Sequence, residues 1–513
     1  MNRNSLVYYC FFIIIMISAI LIAYASSAAI LDTTADLVLG QPDFSSHAVN
    51  AGVGSVNSTG VNAPFAVAID QSVTPNHVYV TDMNNNRVLG WADEATLING
   101  QPADKVFGQQ GDFTSRTCNN GGRSADTLCT PQGLTVDTAG NLYVADRGNS
   151  RVLVYLTPFS STAIAGSGDT TADFVFGQTS FNQGGCSNPT LSTANASSLC
   201  NPLGVAVDSL GNVYVADTTN NRVLEYNTPL TISTPVVFVA DRVFGQPDFS
   251  SRTAGSGADG LNQPYAVAVD SAGNVYVADF QNNRVLEYDT PLSTDTVADL
   301  VFGQTNFSST SANSGGISAG SLSNPTGVAV DSVDNLYVAD RSNRRVLEYD
   351  TPLTTDTIAD LVFGQGGFST IFCNPGGVAT ASSLCIVTGV DVDGSGDLWV
   401  ADFSNNRVLK YDPADQPPQT TTTSTTTTTI PTASSSNLSS QQTGAGVGGG
   451  CGMIDPKNGD PPVPAKGADM PILLAVMLFF LMKKKIQSLK QHVCHLLTSR
   501  PSSSAGFQIS SRE

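Results

Sequence analysis

An aspartate followed five residues later by an arginine occurs six times: Asp82 and Arg87, Asp146 and Arg151, Asp217 and Arg222, Asp279 and Arg284, Asp340 and Arg345, Asp402 and Arg407. One such pair could act as a base beside an anion clamp. Six copies at one spacing point instead to a brace, an Asp at a strand end and an Arg beyond the turn holding the loop between them by charge-assisted hydrogen bonds. The Asn residues of these loops, such as Asn220, Asn282 and Asn405, suit turns that need a left-handed backbone.

Other constellations are thin, and no catalytic residue is assigned. The densest acidic stretch, DVDGSGD, holds Asp391, Asp393 and Asp397 at alternate spacing, as in a calcium loop. Asp393 is nevertheless the ordinary repeat Asp, equivalent to Asp270, and Asp397 replaces a turn Asn. The reading is therefore no metal or cofactor, with calcium at those three residues as the weaker alternative. The GISAG of Gly316–Gly320 matches a nucleophile elbow in letters only, since no strand, helix or histidine flanks it.

The cysteines carry more. Cys118 with Cys129, Cys186 with Cys200, and Cys373 with Cys385 each fall at the same place in their unit, and units lacking one lack both. Paired absence predicts a disulfide within each loop, formed in an oxidising compartment. Each would add about 3 kcal/mol by restricting the unfolded chain. No histidine lies nearby in sequence to favour a metal instead.

The elements that must position these residues come from internal repetition. Gln263 to Tyr288 reads QPYAVAVDSAGNVYVADFQNNRVLEY, and copies begin at Pro64, Pro131, Pro202, Pro325 and Val387. A shorter phrase, VLGQ or VFGQ, ends at Gln41, Gln109, Gln178, Gln246, Gln304 and Gln365. Short β-branched and aromatic runs between turn residues give four strands per unit. A four-stranded blade cannot bury both faces alone, so blades must stack radially. The first VLGQ strand precedes every full unit and none follows Tyr411, so Ala35–Gly40 should pair with Arg407–Tyr411. The fold is all-β, a six-bladed β-propeller closed by the N-terminal strand joining the last blade.

The pattern PxGVAVDxxGNVYVADxxNNRVLEY resembles the NHL repeat, and from about Leu31 to Tyr411 the chain is similar to NHL-repeat propeller proteins. The resemblance implies the fold and leaves activity open, because such propellers bind proteins, RNA or glycans and include a few enzymes. Amidating lyases of this kind need a histidine-ligated metal, and only His47 and His77 lie in the propeller. A gluconolactonase-like metal-dependent hydrolase or lyase, using carboxylates, is the alternative function.

Links of about 15 to 25 residues join each outer strand to the next inner strand, on the face where the Asp–Arg turns emerge. Long ordered loops on a rigid scaffold are where function concentrates. The residue after each repeat Asp varies there: Met83, Arg147, Thr218, Phe280, Arg341 and Phe403. So do the residues leading into the inner strands, Phe65, Gln132, Leu203, Tyr265, Thr326 and Thr388. Arginines among exposed aromatics suit a carboxylate-bearing or glycan ligand.

Charge and flanking segments set the surroundings. With 43 acidic against 24 basic residues the net charge is -19, which disfavours nucleic acid as a partner. Residues 1–29 read as a signal peptide, residues 30–413 as the propeller, and residues 414–450 as a Thr/Ser/Gly-rich linker or stalk. Residues 451–485, with Cys451, an apolar run and Lys483–Lys485, resemble a bacterial surface-protein sorting or transmembrane segment, followed by a tail at 486–513. The expectation is an exported, surface-tethered binding module, held to the membrane by its C-terminal segment and presenting disulfide-braced loops to a protein or glycan.

Overall fold

The computed structural model describes residues 32–160, 168–186, 194–231 and 237–412. The signal peptide, linker, sorting segment and tail expected above lie outside the described residues, as do Cys10, Cys451 and Cys494. Among the described residues, every helix is a 3-10 turn of three or four residues, and no helix is long and apolar enough to cross a membrane.

Six four-stranded antiparallel sheets form the blades of a propeller. From inner to outer strand, blade 1 is Pro64–Asp70, His77–Asp82, Arg87–Trp91 and Lys105–Phe107. Blade 2 is Pro131–Val136, Leu142–Asp146, Arg151–Tyr155 and Phe174–Phe176, and blade 3 is Val205–Val207, Val213–Asp217, Arg222–Tyr226 and Arg242–Phe244. Blade 4 is Pro264–Val269, Val275–Asp279, Arg284–Tyr288 and Leu300–Phe302, and blade 5 is Pro325–Val330, Leu336–Asp340, Arg345–Tyr349 and Leu361–Phe363. Blade 6 takes Val387–Val392, Leu398–Asp402 and Arg407–Tyr411 from the end of the chain and its outer strand, Leu37–Leu39, from the beginning. Leu37 faces Lys410, Val38 faces Leu409, and Leu39 faces Val408, as the expected closure requires.

The VYVAD strands are apolar on both faces because each face meets a different neighbour. In blade 4, Val275 and Val277 pack toward Val223 and Phe244 of blade 3, while Tyr276 and Ala278 pack toward Val328 and Val338 of blade 5. Each fully buried Val or Leu is worth about 1.5–3 kcal/mol. The Phe of each VFGQ phrase also meets the Tyr ending the third strand of the next blade, edge to face, at 5.1–5.3 Å between centroids. Only the closing junction differs, with Leu39 and Trp91 in those places.

The inner strands close on the axis. A Cβ on Gly133 would lie 2.1 Å from the Leu203 carbonyl oxygen, and one on Gly389 would lie 2.7 Å from that of Phe65. Gly133 N–H donates to Leu203 O across the blades at 2.8 Å. Glycine in the PxGV phrase thus permits a neck that a side chain would force apart.

Candidate functional site

The six Asp–Arg pairs are braces, and they hold more than their own turns. Each Arg Nε donates to its Asp Oδ2 at 2.7–2.8 Å, with both side chains fully buried. Arg284 Nη2 also donates to the carbonyls of Gly257 and Gly260 in the loop before its blade, and Nη1 to Phe307 O in the loop after it. The other five repeat the pattern, and Arg407 reaches Phe44 O in the N-terminal segment. The other Asp oxygen accepts a loop N–H, as Asp217 does from Cys200 at 2.6 Å. Burial raises all six carboxyls, Asp279 to about 6, against the opposing pull of the arginine and the N–H donors.

A second brace was not read from the sequence. The Gln ending each VFGQ phrase donates to two carbonyls, one at the residue before the repeat Arg and one in the long loop. Gln246 Nε2, for example, reaches Asn221 O and Thr253 O at 2.8 and 2.9 Å. The six-fold recurrence of that Gln was the signal that could have found it. Disulfides Cys118–Cys129, Cys186–Cys200 and Cys373–Cys385 form within the loops, as expected. Such bonds suit an oxidising environment.

At the mouth on this loop face, Phe65, Leu203, Tyr265 and Thr326 ring a shallow cavity of about 60 Å³ above the glycine neck. Most of the variable side chains expected to be exposed here are buried. Phe65, Gln132, Leu203, Thr218, Phe280, Thr326 and Thr388 are each at most 7% exposed. The inner strands lean together at the mouth, so their leading side chains plug it. Thr218, Thr326 and Thr388 hydroxyls bond to Pro264, Val387 and Pro64 carbonyls of neighbouring blades, and Gln132 meets the Met83 sulfur at 3.2 Å. Phe280 lies against Tyr265, rings stacked at 4.0 Å. Left at the surface are Arg147, exposed, and Tyr265, Arg341, Met83 and Phe403, half-buried.

Sequence reasoning also missed Phe372. Its backbone is held at both ends by Gln365, yet its side chain is 66% exposed. The same backbone position carries Ala48, Thr117, Gly185, Thr253 and Ser311 in the other loops.

Charge is distributed unequally between the faces. Arg116, Arg123, Arg147, Arg252, Arg341 and Arg344 all sit on the loop face, where the acidic residues outside the braces are Asp43, Asp112, Asp126, Asp248 and Asp259. None of these six arginines has an acidic partner within 4.0 Å among the described residues. Lys105, Arg242 and Lys410 lie toward the opposite face, where the hairpin turns and outer links are densely acidic. There Glu225, Glu287 and Glu348 are buried, and burial followed by nearby carboxylates, with a hydrogen bond to Asp350 for Glu348, pushes them to about 7, 7 and 8.

The three aspartates of DVDGSGD do not form one site: Asp391 stands apart from Asp393 and Asp397. Asp391 lies within the inner strand Val387–Val392 and lines the channel, whereas Asp393 lies past the strand end, in the hairpin turn, where its Oδ1 accepts the Ser395 and Asp397 N–H groups. Asp391 lines a cavity of about 150 Å³ toward the far mouth, Oδ2 accepting from Ile69 N–H at 2.9 Å, and burial pushes it up to about 7. Asp393 and Asp397 instead meet Glu94 of blade 1. His47 is exposed, and His77 bonds Asp70 at 2.9 Å in the place of a turn Asn. Ser318 of GISAG lies in a long loop, its carbonyl held by Arg345.

The NHL repeat is matched at residues 128–155, 199–226, 261–288, 322–349 and 384–411, each running from the end of a long loop through the third strand of blades 2 to 6. The chain therefore carries NHL repeats in a six-bladed propeller. No curated protein matches it. Among solved structures, a streptogramin B lyase is 11% identical, over 70% of this chain and 95% of its own, with a TM-score of 0.38. Virginiamycin B lyase from Staphylococcus aureus is 11% identical over 68% and 95%, with a TM-score of 0.37. A protein of unknown function from Bacteroides thetaiotaomicron is 16% identical over 70% and 71%, with a TM-score of 0.42. Likeness at that level carries nothing about activity.

Proposed function

We propose that the propeller is an extracellular, surface-tethered binding module whose loop face takes an anionic ligand, a glycan bearing carboxylate or sulfate groups or an acidic protein segment. The observation that carries this reading is the concentration of unpaired arginines on one face of a strongly acidic protein. A blade strand of five residues spans about 17 Å, beyond a Debye length of about 8 Å. A ligand at the loop face is thus screened from the acidic face. Tyr265 backed by Phe280, with Phe372 at the rim, offers ring faces for stacking, and guanidinium groups match carboxylate geometry.

The alternative, a hydrolase or lyase of the gluconolactonase type, asks for carboxylates around this mouth. None of the described residues lining it is acidic, and Asp391 lies toward the other end.

Calorimetry of the full chain against uronate, sulfated and neutral oligosaccharides, acidic peptides and single-stranded DNA tests the proposal. Binding of an acidic glycan or peptide should weaken with salt, and Arg147→Ala with Arg341→Ala should weaken it about tenfold, roughly 1.4 kcal/mol. Equal affinity for neutral sugars, tight DNA binding, or undiminished affinity in the double variant would overturn it.

A further inference from the structure

In the first five hairpin turns the inner-strand Asp is satisfied on both oxygens. One accepts N–H groups of the turn, and the other accepts a side-chain donor: Asn141, Asn212, Asn274 and Asn335 Nδ2 at 2.7–3.0 Å, or His77 Nδ1 at 2.9 Å. In blade 2 the Tyr143 hydroxyl adds a second donor at 3.1 Å. Blade 6 has lost both kinds of donor, because Asp397 stands where the Asn belongs and Trp399 where the Tyr belongs. Asp393 Oδ1 still accepts the Ser395 and Asp397 N–H groups. Asp393 Oδ2 is left buried without a hydrogen-bond partner, in a residue 3% exposed.

Asp393 belongs to an acidic cluster. Carboxylate oxygens of Glu94, Asp393 and Asp397 lie within 4.8 Å of one another, Glu94 coming from blade 1 and the other two from blade 6. Lys410 stands where blades 3 to 5 place Glu225, Glu287 and Glu348. Its Nζ lies 2.7 Å from Asp397 Oδ2, 3.2 Å from Glu94 Oε1 and 3.1 Å from Asp412 Oδ1, and 5.7 Å from the centre of the Trp399 ring. One ammonium therefore serves three carboxylates and leaves Asp393 Oδ2 without a partner.

We infer that Glu94, Asp393 and Asp397 form a divalent cation site of the calcium class, bridging the seam where the last blade meets the first. Oxygen-only donors of mixed origin suit a hard cation that tolerates irregular coordination, and they do not suit a thiolate- or imidazole-preferring metal. The cation supplies the electropositive partner that Asp393 Oδ2 lacks, and Lys410 then serves Asp412. Because its ligands come from the last and the first blade, the ion acts as a clasp where the ring closes. Asp391, in the channel, takes no part.

Terbium luminescence excited through Trp399 reads the site directly in the full chain, alongside thermal unfolding in calcium or EDTA. Saturable emission displaced by calcium is expected, with a higher melting temperature in calcium. Asp397→Asn restores the turn of the other blades; it should keep the EDTA melting temperature and weaken calcium binding at least tenfold. Glu94→Gln should weaken it similarly, and Lys410→Met should tighten it. Absent emission with identical melting in calcium and EDTA would overturn the inference. So would undiminished emission in Asp397→Asn, or a calcium shift equal in Asp397→Asn and the parent protein.

Discussion

The two faces of the ring bury charge in opposite ways. On the loop face every buried carboxylate has its arginine, its Asn and its loop N–H, six times over. On the turn face Glu225 is buried without a hydrogen bond, its one cationic neighbour Arg242 at 3.9 Å, and Glu287 and Glu348 meet further acids. What repeats with every partner in place is scaffold. What departs from the repeat, such as Arg147, Phe372, Asp397 or Lys410, is where a ligand can be sought.

The sharpest way to break this contrast is Arg284→Met, which leaves Asp279 buried and unpaired and frees two loops. A loss of about 3–5 kcal/mol is expected in denaturant unfolding, and a loss below 1 kcal/mol would mean the loop braces are dispensable. Next, replacing Cys186 and Cys200 together by Ser should cost about 3 kcal/mol, with the blades retained by circular dichroism.

The turn face predicts a pH effect of opposite sign to the usual one. Glu225, Glu287 and Glu348 titrate near 7–8 folded against 4.5 unfolded. Between those values the folded state binds more protons, so stability is fully present below about pH 4.5 and falls as pH rises toward 8. Melting should be several degrees lower at pH 8 than at pH 5, and Glu287→Gln should flatten the slope. The smallest expected effect is Phe372→Ala, within about 0.5 kcal/mol of the parent in stability, while any loop-face ligand binds more weakly.

Blade count, strand order and the closing pair of Val38 and Leu409 were legible in the sequence, because repetition, period and the displaced first VLGQ phrase leave one topology. The disulfides were legible because loops lack both cysteines or neither. The mouth was misjudged at Phe280 and Thr388: variation along the chain says which positions differ, whereas burial depends on how closely neighbouring inner strands approach. Glu94 stayed hidden beside Asp393 because no local spacing links blade 1 to blade 6. Net charge concealed the arginine face for a related reason, since a sum over the chain carries no direction.

The outer strand Leu37–Leu39 has a mechanical consequence. Because it flanks Arg407–Tyr411 on the side away from Leu398–Asp402, the last strand of the ring is an interior strand rather than an edge. Tension on the chain beyond Tyr411 would load both hydrogen-bonded flanks in shear, rather than peeling a free margin one bond at a time.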